Sequence, residues 1–333
     1  MAITIKDVAK DTGLAISTIS KYMNGGNVRP ENQAIIEEAI MRLGYSPNHL
    51  ARGLRTSRSY TYGFLLPTME GGNSGRLVSC MEQETRKRNC FLTICCHQNS
   101  VELAKEYIEF LVEKGVDGII VSPVKTEENY LVAAQEAGIP LVILEDIYGK
   151  ETFDVVQVDC ATSSYEIVES LIKKGHKKIA ILKGTEGMTT AKERLNGYLR
   201  VMEDYGIPVN DAYLIDGDYD YHSGYEGVKK LWKLQEKPTA LFVTNYHMCI
   251  GALVAVKHLN IQVPRELSIV SFDDMDLSAL ADFKITTVRQ PMEEITHQAC
   301  NIIEKRVQGD YSHFPEKKRI KAKVIYRDFN QEV

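Results

Sequence analysis

The sequence predicts an all-α N-terminal headpiece with helix-turn-helix spacing, followed by an α/β core of two doubly wound lobes. Helical apolar spacing dominates the start of the chain, whereas short apolar strands alternate with amphipathic helices from Tyr62 onward. This alternation restarts near Phe153, which indicates a second lobe. We therefore expect three segments, which are residues 1–46, a link of residues 47–60 and a core of residues 61–333.

Two short helices that meet at a sharp turn are predicted at the start of the headpiece. Thr4 followed three residues later by Asp7 is a capping-box start, and Gly13 can adopt the left-handed conformation that ends a helix. The second helix is expected from about Ile16 to Asn24. Ala9 is the small residue that allows a close helix crossing, and Ile19 is the apolar residue that faces it. Together with Gly13, they have the spacing of a helix-turn-helix.

The outer face of the second helix carries hydrogen-bond donors and no acid. Its members are neighbours at i, i+3 and i+4 spacing, namely Ile16, Ser17, Ser20, Lys21 and Asn24. An ordinary amphipathic helix with a solvated face is the alternative interpretation. The distribution of charge favours a binding face over that alternative.

A basic end joins an acidic body in this chain. Residues 1–59 contain eight Lys and Arg against five acids and carry +3, whereas the remainder holds 32 against 40 and carries -8. A basic end is drawn to phosphates, which repel the acidic body. Nucleic acid is therefore the expected partner.

A third helix and a weak link follow. The segment from Pro30 to Leu43 has apolar residues at helical spacing and ends at Gly44, which completes a three-helix unit. The stretch SPNHLARGLRTSRS, residues 46–59, has room for a helix of only about two turns, and Gly53 weakens it further. We expect it to order only when something packs against it, with a plain linker as the alternative.

Eight apolar stretches predict the strands of the core. The first set is YGFLLP, FLTICC, GIIVSP and PLVILE, and the second set is FDVVQVD, KIAILKG, ALFVTN and LSIVSFDD. Ligands of parallel doubly wound sheets bind beyond the carboxyl ends of the strands. The residues after ILKG, LIDG, FVTN and VSF are therefore expected to line a crevice between the lobes.

Several protein classes are not expected from the composition. The sequence contains neither a secretory-type apolar run nor a stretch long enough to span a membrane, so a cytoplasmic protein is expected. Its seven cysteines are odd in number and scattered, which favours reduced thiols. Cys95, Cys96 and His97 resemble metal ligands, but adjacent residues of a strand point to opposite faces. No metal or other cofactor is expected.

Six motifs occur in a fixed order along nearly the whole chain. They are TIKDVAKDTGLAISTISKYMN, LGYSPNHLARGLRT, RLNGY, GDYDYHSGY, VPRELSIVSFDD and TTVRQP. Together they resemble the lactose/galactose repressor (LacI/GalR) family of bacterial transcription regulators. The resemblance implies a DNA-binding headpiece, a hinge helix, and a core related to periplasmic sugar-binding proteins that binds a small effector and dimerises.

The resemblance also assigns residues to DNA. Ile16, Ser17 and Lys21 match the family's major-groove positions, and Leu54 matches the hinge leucine that enters the minor groove. These roles agree with physical chemistry, because lysine can bond guanine and an inserted leucine can unstack a base step. The other residues expected at DNA are Ser20, Asn24, Arg52 and Arg55.

In the core, Arg194, Asn245 and Asp273 match effector-binding positions, and Tyr219 stands where the family often places an aromatic ring against the ligand. Their mixed donors and acceptors suit a polyhydroxylated ligand, so a sugar or sugar derivative is expected. A structural ion pair between Arg194 and Asp273 is the alternative.

The chain departs from the family pattern at four places. Ala15 replaces the usual Ser or Thr that caps the recognition helix, and Lys21 stands where arginine is usual. GGNS at 71–74 and TNY at 244–246 replace familiar loops beside the ligand. The effector therefore cannot be inferred from a familiar relative.

A ligand-responsive transcription regulator, most simply a repressor, is the predicted function. A homodimer on a roughly palindromic operator is expected, without a coiled-coil tetramer, because no leucine heptads follow the last strand. A sugar-binding receptor or an enzyme built on the same core is the alternative. No G-x-x-x-x-G-K-[ST], G-x-S-x-G or H-E-x-x-H motif supports catalysis.

Overall fold

A computed structural model describes residues 3–23, 26–45, 56, 58–70, 72–124, 128–145, 152–274 and 285–327. The chain divides into two compact units, residues 1–60 and residues 61–333, which are described separately below. Within the described residues, no helix is both long and apolar enough to cross a membrane.

The first unit contains three helices, α1 (Ile5–Thr12), α2 (Ile16–Met23) and α3 (Pro30–Leu43). The predicted capping box is confirmed, since the Asp7 carboxylate accepts a hydrogen bond from the Thr4 backbone N–H at 2.8 Å. Gly13 ends α1 with a φ of 69°, in the left-handed region that was predicted for it. The expected last residue of the second helix, Asn24, lies outside the described residues.

A small core holds these three helices together. Val8, Ile19, Ile36 and Ala39 are its fully buried members. Ile35 belongs to the same helical repeat of apolar residues in the sequence, yet it is 44% exposed because it lies at the margin of the buried stripe. With so few buried side chains, each one carries a large share of the stability of this unit.

The second unit contains twelve strands and eight further α-helices among its described residues. The strands are β1 (Thr61–Leu66), β2 (Phe91–Cys96), β3 (Gly118–Val121), β4 (Leu141–Leu144), β5 (Asp154–Val158), β6 (Ile179–Leu182), β7 (Leu214–Ile215), β8 (Ala240–Val243), β9 (Ser268–Phe272), β10 (Thr286–Arg289), β11 (Lys317–Ile320) and β12 (Lys323–Ile325). The helices are α4 (Gly72–Lys87), α5 (Val101–Glu113), α6 (Val132–Glu136), α7 (Cys160–Ile172), α8 (Thr189–Asp204), α9 (Tyr221–Trp232), α10 (Tyr246–His258) and α11 (Met292–Val307).

The strands form two six-stranded sheets, one in each lobe. The first has the order β2-β1-β3-β4-β5-β11 and its pairs are all parallel. The second has the order β7-β6-β8-β9-β10-β12, in which only β10 and β12 pair antiparallel. The order reverses at β1/β3 and at β6/β8, and such switch points open a crevice at the carboxyl ends of the strands.

One strand assignment from the sequence is wrong. FDVVQVD was expected to open the second lobe, but β5 pairs with β4 and β11 in the first sheet. The connection from β4 to β5 is short, so β5 continues the sheet that is already formed, and the second sheet starts only at β6. The chain then returns to the first lobe in α11 and β11, and β12 joins the second sheet. Neither lobe is therefore one continuous half of the sequence.

A buried ion pair fastens α11 to the first sheet. Arg306 donates through Nε and Nη2 to the two carboxylate oxygens of Asp154 at 2.9 and 2.8 Å, and both side chains are almost fully buried. The Glu316 backbone N–H donates to the same carboxylate at 2.7 Å. Tyr311 and Phe314 cover the guanidinium with their rings.

Candidate functional site

The predicted recognition face lies on α2 and points outward. Ile16 is 45% exposed, and Ser17 and Lys21 are exposed beside it, whereas Ser20 is half-buried. Ile19 points the opposite way, into the core of the headpiece. The helix thus presents Ile16, Ser17 and Lys21 to solvent, and the contacts of the assigned residues with DNA stay a prediction.

The start of α2 is held by backbone alone. The Ala15 carbonyl accepts hydrogen bonds from the N–H groups of Thr18 and Ile19 at 2.9 and 3.2 Å, but its methyl side chain offers no acceptor to the first turn. No acid stands in that turn. At the other end, the Lys21 carbonyl accepts a hydrogen bond from the Gly26 N–H at 2.8 Å, which fixes the backbone beneath Lys21.

The hinge cannot be placed in the same way. Four of the residues assigned to DNA lie outside the described part of the chain, namely Asn24, Arg52, Leu54 and Arg55. Their roles remain sequence-based predictions.

A narrow cleft lies between the two sheets of the second unit, and its free volume is about 20 Å³. Both lobes contribute to it, since Glu145 follows β4 and Arg194 lies on α8. The complete lining is Glu145, Gln157, Val158, Cys160, Thr189, Thr190, Glu193, Arg194 and Gln290. Of the four residues predicted to bind the effector, Arg194 lines this cleft directly, and the other three connect to its walls.

Arg194 is the most buried charge of the cleft, with 5% of its surface exposed. Its Nη1 donates to the Thr244 carbonyl at 2.5 Å, and its guanidinium lies 3.9 Å from the centre of the Phe272 ring and 5.6 Å from that of Tyr219. Its Nε has no hydrogen-bond partner among the described residues. A buried donor without a partner is costly, so an acceptor that reaches this N–H would be favourable.

Tyr219 and Asn245 are tied to each other. The Asn245 side-chain amide donates to the Tyr219 carbonyl at 2.8 Å, and its side-chain oxygen accepts from the Met248 N–H at 3.0 Å as the cap of α10. The Tyr219 ring lies against Gly184, where an added Cβ would come within 2.1 Å of the ring. Asn245 therefore positions the ring, and Gly184 makes room for it.

Asp273 reaches the cleft through Gln290, whose side-chain amide donates to it at 2.6 Å. Among the described residues, Asp273 forms no ion pair with Arg194. The structural ion pairs belong to its neighbour Asp274, which pairs with Arg289 and, at 2.8 Å, with Arg327. Asp273 is thus left with a neutral partner.

Three residues beside the cleft have left-handed backbones although none is glycine. The φ angles are 95° at Glu145, 64° at Tyr219 and 72° at Asp273, each at or beyond the end of a strand. Such conformations cost energy and persist where the surrounding structure holds them, most often at binding sites. They fix the backbone of three residues from two sheets beside one cleft.

Sequence reasoning missed two groups of the cleft. Glu145 lies among other acids, and burial raises its pKa to about 7, an effect opposed by Arg194 and reinforced by Asp273. Burial also raises the pKa of the Cys160 thiol to about 12, which favours its protonated form. The signal for Glu145 in the sequence is its place directly after the all-apolar strand PLVIL, at the carboxyl end where ligands of parallel sheets bind.

The two units match two family models. Residues 4–48 match the model described as bacterial regulatory proteins, lacI family. Residues 168–328 match the periplasmic binding protein-like domain.

Full-length proteins show the same relationship. Catabolite control protein A of Priestia megaterium is 34% identical over 310 residues, which cover 92% of each chain. The structure of the lac repressor dimer bound to operator and the anti-inducer ONPF is similar with a TM-score of 0.82 and 21% identity, covering 99% of this chain and 100% of that one. The complex of the regulator CelR with cellobiose has a TM-score of 0.76 at 22% identity, over 98% and 99% of the two chains. The predicted fold class is confirmed, and the chain belongs to the LacI family of bacterial regulatory proteins.

Proposed function

We propose that this DNA-binding regulator is a repressor whose affinity for its operator is controlled by a small polar effector bound in the cleft between the lobes. A sugar or sugar derivative is the proposed class, which is supported by the cellobiose bound to CelR. The effector alters DNA binding only to the extent that it prefers one arrangement of the lobes over the other.

One observation carries the effector part of this proposal. Arg194 lines the cleft and is buried beside two aromatic rings, and its Nε lacks a partner among the described residues. A planar guanidinium with a spare donor between apolar faces suits a polyhydroxylated ring, which offers hydroxyl acceptors at its edge and C–H groups on its face.

The proposed assembly is a homodimer on a roughly palindromic operator. One headpiece presents one recognition helix and can read one half-site, so two copies related by a two-fold axis read two. The lac repressor dimer bound to its operator supports this arrangement. Sedimentation of the full chain is expected to give a dimer at micromolar concentration, and a monomer or a four-chain species would contradict it.

The test begins with a thermal-shift screen of the full chain against sugars, polyols, sugar phosphates and nucleobases, because a bound ligand raises apparent stability. The compound found is then added to operator titrations of the wild type, Arg194→Ala and Arg200→Ala. Arg200 lies on the same helix, but its side chain is exposed and pairs only weakly with Asp204, so it controls for loss of an arginine.

We expect the compound to change operator affinity roughly 5- to 150-fold in the wild type and in Arg200→Ala. Arg194→Ala is expected to bind operator and to ignore the compound, because the DNA-reading residues belong to the other unit. A variant that still responds at the wild-type ligand concentration would show that Arg194 is structural and that the effector binds elsewhere.

The hinge leucine is a separate part of the proposal and rests on the sequence. Leu54→Ala is expected to reduce operator bending and affinity while ligand binding is unchanged, since a leucine wedge supports a kink that costs a few kcal/mol of unstacking. Unchanged bending in a circular-permutation gel would return residues 46–59 to the role of a plain linker.

A further inference from the structure

The cleft gathers more negative than positive charge. Glu145 and Glu193 line it together with one guanidinium, that of Arg194, and Asp273 touches its wall through Gln290. Burial raises the pKa of Glu193 as well as that of Glu145, as expected where carboxylates share a poorly solvated space.

Three of the four charges are held by the protein itself. Glu193 accepts a hydrogen bond from Arg319 at 3.0 Å. Asp273 accepts one from Gln290, and Arg194 is enclosed by its carbonyl partner and two rings.

Glu145 is different. Its backbone N–H donates to the Val156 carbonyl at 3.1 Å, which fixes the residue at the end of β4. Its carboxylate makes no hydrogen bond or ion pair with any other described residue. Glu145 is half-buried, and a partly desolvated carboxylate without a partner among the described residues is unfavourable, so the cleft favours a ligand that brings a positive group to it.

The orphan Nε of Arg194 independently marks this space as a ligand site. It belongs to a side chain that is 95% buried, on the lobe opposite Glu145, and it requires an acceptor. A hydroxyl group meets that need without adding negative charge beside the carboxylates. A phosphate or carboxylate would satisfy Arg194 but would face Glu145, Glu193 and Asp273.

We propose that the effector is a polyhydroxylated small molecule that carries one ammonium group, with the ammonium paired to Glu145 and a hydroxyl accepting from Arg194. This inference rests on the effector-binding function proposed above and narrows its ligand class to amino sugars and related polyhydroxylated amines. A neutral sugar cannot form the ion pair with Glu145, and an anionic sugar would be repelled by the carboxylates of the cleft.

The first test needs no ligand. Folding raises the pKa of Glu145 from 4.5 to about 7, so the folded chain holds this proton more tightly, and stability is lost as the pH rises through about 7. Glu145→Gln removes the charge and is expected to raise the Tm relative to wild type at pH 8 and much less at pH 5.5. The charged and titratable groups that face Glu145 are Arg194, Glu193, Asp273, Cys160 and Tyr219.

The second test compares matched probes by thermal shift and calorimetry at pH 8. The pairs are D-glucosamine with D-glucose, D-galactosamine with D-galactose, and D-mannosamine with D-mannose, with D-glucuronate as the anion. At least one amino sugar is expected to bind the wild type roughly tenfold more tightly than its neutral partner. Glu145→Gln is expected to lose this preference, and Glu186→Gln, which alters an exposed acid before α8, is expected to keep it.

Each outcome of these two tests supports or overturns the inference. A neutral or anionic probe that binds as well as its amino partner, or no binding by any probe, overturns the inference, as does an equal effect of Glu145→Gln on the Tm at both pH values. A neutral sugar that binds through Arg194 and changes operator affinity would overturn it while leaving the proposed function intact. An amino sugar that depends on Glu145 yet leaves operator affinity unchanged would support the inference and contradict the proposed function.

Discussion

The recognition helix and the effector cleft are built in opposite ways. The described DNA-reading candidates lie within residues 16–21 on a single helix, exposed to solvent. The cleft is lined by residues between 145 and 290 that two sheets and the helices α7 and α8 bring together, and its arginine is buried. The first surface can be altered one side chain at a time, whereas a change in the second disturbs partners in both lobes.

The two units also differ in how their stability is distributed. The headpiece depends on four fully buried side chains, whereas each lobe has a core built on a whole sheet. A small core tolerates little loss of buried apolar surface. Substitutions that lower the stability of one unit alone therefore test whether DNA binding and effector binding are independent properties.

The largest effect is expected in the core, from Arg306→Ala. This change leaves Asp154 buried and unpaired and removes the cation from beneath Tyr311 and Phe314, at a cost of about 3 to 5 kcal/mol. Differential scanning calorimetry of the full chain is expected to show a lower Tm for the core transition, while hydrogen exchange in residues 3–45 is unchanged.

Arg86→Ala is the matched control for that change. Arg86 is 72% exposed and pairs with Glu82 on the surface of α4, so its loss is expected to cost at most about 1 kcal/mol. Equal destabilisation by the two variants would show that the buried pair adds nothing beyond a surface contact. Faster exchange throughout the headpiece would show that the two units unfold together.

The next largest effect is expected in the headpiece, from Ile19→Ala. Ile19 is fully buried against Val8 and Ile36, and its truncation should cost about 2 to 5 kcal/mol, which is enough to unfold a unit with so small a core. Operator binding is then lost while the core Tm is retained. Ile35→Ala, at an exposed position of α3, is expected to bind operator normally, and comparable losses in both variants would contradict this account of the headpiece core.

Local signals made the headpiece predictable. The capping box at Thr4, the left-handed Gly13 and the end of α3 at Gly44 each depend on residues within one or two turns of helix. Strands of the core were predictable for a similar reason, since each is a short apolar run between polar segments. Their assignment to lobes was less predictable, because whether β5 joins the first or the second sheet is decided by pairing between distant segments.

The cleft was predictable mainly where a family motif marked it. Arg194 and Asp273 stand in such motifs, whereas the only local signal for Glu145 is its place after an apolar strand, and nothing local distinguishes Cys160 from the other thiols of the chain. What makes Glu145 unusual is its left-handed backbone and the carboxylates around it, which exist only after both lobes have folded. The difference between Asp274, which forms ion pairs, and Asp273, which accepts a hydrogen bond from Gln290, also emerges only in three dimensions.

A smaller effect, on DNA reading rather than on stability, is expected from Lys21→Ala. Lys21 is exposed on the recognition face, and loss of a bidentate contact with a base should cost about 1 to 3 kcal/mol and relax the preference at one position of each half-site. Binding to an operator and to scrambled DNA measures both. Lys10→Ala removes the same charge from α1 and is expected to weaken binding to both DNAs equally. The same pattern for Lys21→Ala would show that Lys21 contacts a phosphate and not a base.

The smallest effect is expected from restoring the missing cap, in Ala15→Ser. The Ala15 carbonyl already accepts two hydrogen bonds from the first turn of α2, so the backbone is in place for a serine oxygen to accept a third from Thr18 or its neighbour. The gain should be about 1 kcal/mol in the headpiece and nothing in the core. It is measured as slower hydrogen exchange in α2 of the full chain. Ala15→Val adds bulk without an acceptor, so equal protection in both variants would show that the gain comes from packing. A change in the core Tm would contradict the independence of the two units.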